Sequence, residues 1–364
     1  MNRLTAIGLA SLVAYALLVA SKYTGVVSAA GEKGASTRTV AVEPQLAVAG
    51  GSVEALRPEP RVIPLQMPAP VPRAEPHRIS PVGLEFRSAR DLKAFADTLG
   101  SRRGQLDADE RYFLARTLEE CQFATTVNQD LGAYSAKKKR EFLASLPVGD
   151  AQNPKRIAAY DAVDNTQRCL GFQNVKISPR DIEELYRGAA QMGDARAQAR
   201  LITAELGSKG SNANRADNTQ NARQPAAQGE DFSRLIQLLE SHDPEAVLIV
   251  GDFLSRQSSQ LRVGPNGETP EPSALLGAFS LVACDLGQDC SNMHREPLQA
   301  CAYAGYCTSQ NFEELYQNFL ASPWAYTQAT RYRSIIHTAI STRNWSLIGL
   351  VPPQSQTGNA VTPQ

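Results

Sequence analysis

Apolar and polar positions recur at helical spacing through most of residues 84–350. Within 181–206, Leu185, Ala189 and Met192 fall on one face, with Tyr186 and Ala190 beside them. Ala195, Ala197 and Leu201 line the inner face of the segment that follows. Ser178 suits an N-cap, Pro179 the first helical position, and Asp181 stands three residues after the cap. Gly193 is suited to the left-handed conformation that closes a helix, and Asp194 to capping the next one. The pattern predicts two helices joined by a tight turn. Alanines at 189, 190 and 197 let the two backbones approach to about 8–10 Å.

The outline returns along the chain. Residues 232–254 place Leu235, Leu238 and Leu239 before a His242-Asp243 turn, with Pro244, Ala246 and Val250 after it. Residues 273–287 and 297–307 read as another helix pair, and NFEELY at 311–316 echoes DIEELY at 181–186. Helix starts are marked at Asp107 with Glu110, Asn153-Pro154, Ser178-Pro179, Asp243-Pro244, Ser273 and Ser322-Pro323. No segment alternates as a strand does, and 262–272 reads as a turn-rich loop. The expected fold class is all-α: stacked antiparallel helix pairs forming an irregular solenoid-like domain. Units without a complete core of their own bury their apolar faces by stacking.

Tyr186, Ala189-Ala190, Gly193-Asp194, Ala197-Gln198 and Leu201 together resemble the Sel-one-like repeat, a relative of the tetratricopeptide repeat. The resemblance covers about 25 residues. It departs at Ile202, where the repeat usually has Gly, and at a polar insert over 207–230 in place of a short loop. It implies a helical solenoid used for protein–protein contact.

The flanks divide the chain further. Residues 1–30 read as a signal peptide or membrane anchor, with Arg3 before an uncharged apolar run at 4–20 and small residues at 27–29. Seventeen such residues stand at the lower limit of a membrane span, so 4–20 serves either as a cleaved export signal or as a tether. Residues 31–82 form a Pro-rich linker that favours extended polyproline conformation. An N-terminal helical region over 83–176 and a repeat-like region over 177–350 follow, before a Pro/Gln/Thr-rich tail at 351–364. The domain is expected to be periplasmic or otherwise extracytoplasmic.

Charge removes one class of partner. Lys+Arg and Asp+Glu are both 37, so the net charge is zero and a nucleic-acid partner is not expected. The basic run Lys137 to Arg140 reads as the solvated start of a helix.

Six cysteines in an exported chain point to disulfides. Cys121 and Cys169 each close a predicted helix, and a bridge between them closes a loop of about 50 residues. Cys284, Cys290, Cys301 and Cys307 allow three pairings; an antiparallel helix pair favours Cys284–Cys301 with Cys290–Cys307. A four-thiolate zinc site with His294 between the pairs is the rival, but five intervening residues exceed the usual two to four.

Catalytic motifs are not assembled in the sequence. His77, His242, His294 and His337 stand apart, and the carboxylate pairs at 119–120, 183–184 and 313–314 are adjacent, so their members do not face each other on a helix. Aromatic residues crowd the C-terminal end: Tyr303, Tyr306, Phe312, Tyr316, Phe319, Trp324, Tyr326, Tyr332 and Trp345. They are candidates both for a core and for a partner surface. The expectation is an exported, non-catalytic helical module that binds a protein partner or acts as a scaffold in a bacterial envelope, with no cofactor and no metal. The alternative is an envelope enzyme such as a cell-wall glycan hydrolase, which needs two carboxylates about 5–10 Å apart in a concave pocket.

Overall fold

The computed structural model describes residues 79–125, 130–216, 229–291 and 294–350. The expectations for the export segment, for the linker up to residue 78, for part of the polar insert and for the C-terminal tail lie outside the described residues. The described residues are helical, and the β pairing among them is limited to the isolated bridges Val263–Glu268 and Ser291–Asn311.

Local capping explains where the helices begin. Helices α1 (Pro81–Ser88) and α2 (Leu92–Gly100) start on Ser80 and Asp91, whose side chains accept backbone N–H groups of the first turn. Helix α3 (Ala108–Cys121) opens with a reciprocal box: Glu110 N–H donates to Asp107, and Asp107 N–H donates to Glu110. Then come α4 (Leu131–Ser145), α5 (Asn153–Val163) and the short α6 (Asn165–Arg168). The hairpin anticipated at 181–206 is α7 (Pro179–Gln191) and α8 (Ala195–Ala216). Gly193 takes φ +94°, and Asp194 Oδ1 accepts from Ala197 N–H at 2.9 Å. Helices α9 (Gly229–Glu240) and α10 (Pro244–Arg256) form the second hairpin. The chain continues through α11 (Pro272–Asp285), α12 (Arg295–Gln299), α13 (Phe312–Leu315) and α14 (Pro323–Thr342). Helices α12 and α13 run on into π-helical segments, Ala300–Ala304 and Tyr316–Leu320.

Several boundaries move from the expected places. Helix α1 begins at Pro81, inside the segment expected to be linker, because Ser80 caps it and Phe86 is buried. The first ten residues of the insert, 207–216, prolong α8. Glu271, not Ser273, caps α11. The Lys137–Arg140 run sits in the middle of α4. Met192 is 53% exposed, although the spacing places it with Leu185 and Ala189; α7 ends at Gln191, so Met192 no longer follows the helical period.

Two large apolar cores meet on α8. Phe95, Tyr112, Phe113, Phe172, Leu185 and Ala197 belong to the first. Ala199, Leu235, Leu239, Val250, Phe279, Tyr332 and Trp345 belong to the second. Helix α3 packs on α7, α7 on α8, α8 on α10, α10 on α11 and α11 on α14, with α9 set against α8 and α10. The close contacts of α11 with α10 and with Tyr316 depend on Gly251 and Gly277. A β-carbon at Gly251 stands 2.3 Å from the Phe279 side chain, and one at Gly277 stands 2.2 Å from the Tyr316 ring. A third, smaller cluster joins Phe142, Ala159 and Tyr160 to Cys301 and Ala302. Arg156 fixes that joint by donating to the carbonyls of Ala302 and Tyr303 at 3.1 and 3.3 Å. Among the described residues, no helix is long and apolar enough to cross a membrane.

Candidate recognition surface

The cysteines set the frame of the C-terminal end. All six are paired: Cys121–Cys169, Cys284–Cys290 and Cys301–Cys307. The favoured cross-helix pairing, Cys284–Cys301 with Cys290–Cys307, is therefore corrected to two local bridges. The expected pairing needs 297–307 to run as one helix back along α11. Instead α12 is short, packs with its π segment on α5, and ends in a reversal at Gly305, φ +79°. Gly287, φ +104°, makes a similar reversal after Cys284. Each turn brings cysteines six positions apart into contact, and a short loop costs little entropy to close. The four sulfurs proposed as a rival zinc site are consumed by these bridges, and His294 sits against Glu296 instead.

The aromatic residues divide between core and surface. Tyr316, Tyr332 and Trp345 are buried. Phe312 and Tyr326 flank Tyr316 with ring centroids 6.0 and 6.2 Å away. Tyr306 stacks on Phe319 at 4.5 Å, which joins the two segments that carry the π turns. Single π turns are rare and recur at functional sites. Tyr303 and Trp324 are each 60% exposed. Tyr303 is held edge-on by Phe142 and Tyr160, both at 6.0 Å, and its backbone is fixed by Arg156. Trp324 stands in the first turn of α14, which Ser322 caps. Both are therefore large amphipathic side chains on rigid backbone, the type favoured at binding hot spots.

A polar hub occupies the seam between the two large cores. Tyr112 Oη donates to Glu245 at 2.6 Å, and Arg116 pairs with the same carboxylate oxygen. Arg116 also reaches Glu120 at 3.2 Å, and Glu120 lies within 3.8 Å of Arg168 and 3.4 Å of Arg295. Glu119 turns the other way, accepting from Tyr186 at 2.7 Å and Arg200 at 2.9 Å. Arg196 pairs with Asp109 and Asp194 and covers the Tyr112 ring at 4.1 Å.

These contacts determine protonation. Burial and the negative charge of Glu245 push the Tyr112 phenol up to about 12. Burial also works against the charged form of Glu245, but Arg116 and Arg200, with the Tyr112 hydrogen bond, outweigh it and hold the carboxyl below its ordinary range. Glu120 is likewise held low, because Arg116, Arg295 and Arg168 outweigh its burial. The hub thus holds charged carboxylates and guanidiniums against one another, with Tyr112 kept as a neutral donor. Sequence spacing did not group these residues; the helical faces of α3 and α10 bring them together.

The remaining candidates are also engaged. Glu183 and Glu184 form pairs along α7 with Arg187 and Arg180. Asp285 accepts from Arg333 at 2.6 Å and lies 2.7 Å from His337, and Arg333 reaches Glu313 at 2.9 Å. Glu314 caps locally, accepting from Gln310 N–H. His242 is exposed in the α9–α10 turn, and His77 lies outside the described residues. Among the described residues, no group of three His, Cys, Asp or Glu side chains is placed to hold a metal ion.

Comparison with protein-family models, with curated proteins and with solved structures finds no match for this chain.

Proposed function

We propose that this chain is an exported, non-catalytic helical-repeat module that captures a protein partner in the bacterial cell envelope. One observation carries the reading: Tyr303 and Trp324 are both exposed, Tyr303 on a disulfide-bracketed segment against two rings and Trp324 in the first turn of a capped helix. Rigid aromatic anchors lose little conformational freedom on binding.

Three further features support it. Helices α7, α8, α10 and α11 pack in the order of the sequence, which suits a solenoid of Sel-one-like units beginning at 181–206. Three disulfides are compatible with an oxidising extracytoplasmic compartment. The hub carboxylates are committed to arginines, which suits a mechanical role more than acid–base work.

The test is cross-linked affinity capture from envelope extracts, with the full chain and its Tyr303→Ala/Trp324→Ala variant as baits. A protein recovered by the parent and lost from the variant supports the reading. Recovery of the same proteins by both baits removes these residues from the interface, and recovery of no reproducible partner counts against the function itself.

A further inference from the structure

Helix α4 presents an outward face that nothing in the described fold covers. Ala133, Ala136, Lys137, Arg140, Leu143 and Ala144 recur at helical spacing and are all exposed. The helix runs into a turn whose tip is wholly exposed: Val148 has no shielding at all, at 105% of its reference area. That turn is built rather than slack. Pro147 C=O accepts from Asn153 Nδ2 at 2.7 Å and from Asp150 N–H at 3.4 Å, and Gly149 takes φ +78°. The apolar tip is therefore presented, not merely left outside.

The charges around it are unbalanced. Lys139 is matched by Asp161 at 2.7 Å. Lys137 and Lys138 share one carboxylate, Glu141, at 3.8 and 3.4 Å. Arg140, and Lys155 in the first turn of α5, have no ion pair among the described residues. Lys137, Lys138, Arg140 and Lys155 thus stand against Glu141 and Asp150, an excess of two positive charges along α4, the turn after it and the first turn of α5. The whole chain has no net charge, so this is a local feature.

We infer that the outward face of α4 and the Val148 turn form a docking surface for an anionic lipid bilayer. A protruding aliphatic side chain enters the headgroup boundary, and the cations along α4 meet lipid phosphates. Charge complementarity favours this occupant, and the small alanines along the helix allow it to lie close to a flat surface. The inference is independent of the aromatic recognition surface.

The test uses the full chain with a tryptophan reporter, Val148→Trp, and a matched exposed control, Met192→Trp. Each is mixed with vesicles of phosphatidylcholine alone, or of phosphatidylcholine with phosphatidylglycerol. Any membrane insertion through residues 4–20 is common to both proteins, so the difference between reporters isolates the turn. With phosphatidylglycerol present, the Val148→Trp emission shifts to the blue and is quenched by brominated lipid, salt reverses the effect, and Met192→Trp does not respond. Adding Lys137→Glu and Arg140→Glu weakens the response at least about tenfold. Equal behaviour of the two reporters overturns the inference, as does an equal shift on phosphatidylcholine alone. A shift on soluble polyglutamate without one on vesicles also overturns it, and assigns the surface to an acidic polypeptide.

Discussion

The phenol of Tyr112 donates to the carboxylate of Glu245 over 2.6 Å, linking two helices across 133 positions of sequence. Arg116 contacts the same oxygen, so one carboxylate satisfies a phenol and a guanidinium where the two apolar cores meet. Replacing Glu245 by Ala leaves the Tyr112 phenol without its acceptor and removes one of the two carboxylates that pair with Arg116. The Arg116 and Glu245 side chains are 21% and 24% exposed, so the loss falls below that of a fully buried pair. The expected cost is about 2–3 kcal/mol, between exposed and buried cases. Glu245→Gln keeps an acceptor and costs less. Urea unfolding of the two variants measures the order, and Gln as costly as Ala would falsify the hydrogen-bond part of the argument.

The same contacts give stability two pH limits. Glu120, Glu245 and Asp285 are each partly buried, and neighbouring cations and hydrogen bonds overcome that burial to hold their carboxyls below the ordinary range. Their contribution is present above the unfolded carboxylate range, about pH 4, and is lost as pH falls through the folded values. Tyr112 acts in the opposite direction. Its folded value is raised from 10.0 to about 12, so its contribution is present below pH 10 and is lost as pH rises through 12. Chemical unfolding across pH therefore shows both an acid and an alkaline decline, and Tyr112→Phe makes the alkaline one shallower, the remainder coming from other raised phenols such as Tyr186. An unchanged alkaline slope in that variant contradicts the assignment.

The disulfide pattern has a direct chemical readout. Trypsin cuts after Arg262, Arg295 and Arg331, placing Cys284 and Cys290 on peptide 263–295 and Cys301 and Cys307 on peptide 296–331. Local bridges leave these as two separate peptides under non-reducing conditions, each two mass units lighter than its reduced form. A cross-linked pair of the two peptides is the signature of the rejected pairing.

The three bridges also differ in weight. Cys121–Cys169 spans 48 positions and each of the others spans six. Loop entropy alone assigns about 4 kcal/mol to the first and about 2 kcal/mol to either short one. Thermal unfolding of the three double Cys→Ala variants is expected to rank Cys121/Cys169 as the most destabilised.

Gly251 and Gly277 are required by packing, and Gly100 is not. A β-carbon at Gly277 or Gly251 meets Tyr316 or Phe279 well inside van der Waals contact. Alanine at either position costs about 1–3 kcal/mol through overpacking. Gly100, with nothing within 4 Å of such a carbon, accepts alanine at no cost or with a slight gain. Melting temperatures of the three variants check the contrast; a Gly277→Ala protein as stable as the parent shows that the α11 contact can relax.

The hairpin over 181–206 was legible because its cues are local, whereas the extension of α8 over 207–216 was not. Ser178 caps α7, Gly193 closes it, Asp194 caps α8, and Ala189 and Ala197 are fully buried. The C-terminal region was less legible. The cysteine spacing there left three pairings open, and no periodic rule marks a π segment such as Ala300–Ala304. The hub was not legible at all: Arg116, Glu120, Arg196 and Arg200 have the polar pattern of an exposed helix face, and their partners come from other helices, Glu245 of α10 and Arg295 of α12 for the first two and α3 for the last two.

By itself the sequence determined the helical character of the described domain and most of its helix starts, since caps and 3.6-residue periodicity act within one or two turns. Tertiary structure decided which cysteines meet, which aromatics are buried and which charges share a carboxylate. Those outcomes depend on contacts such as Arg156 with the carbonyls of Ala302 and Tyr303, between segments 146 or more positions apart. Local residue preferences carry no information about such distant partners until packing fixes their distance.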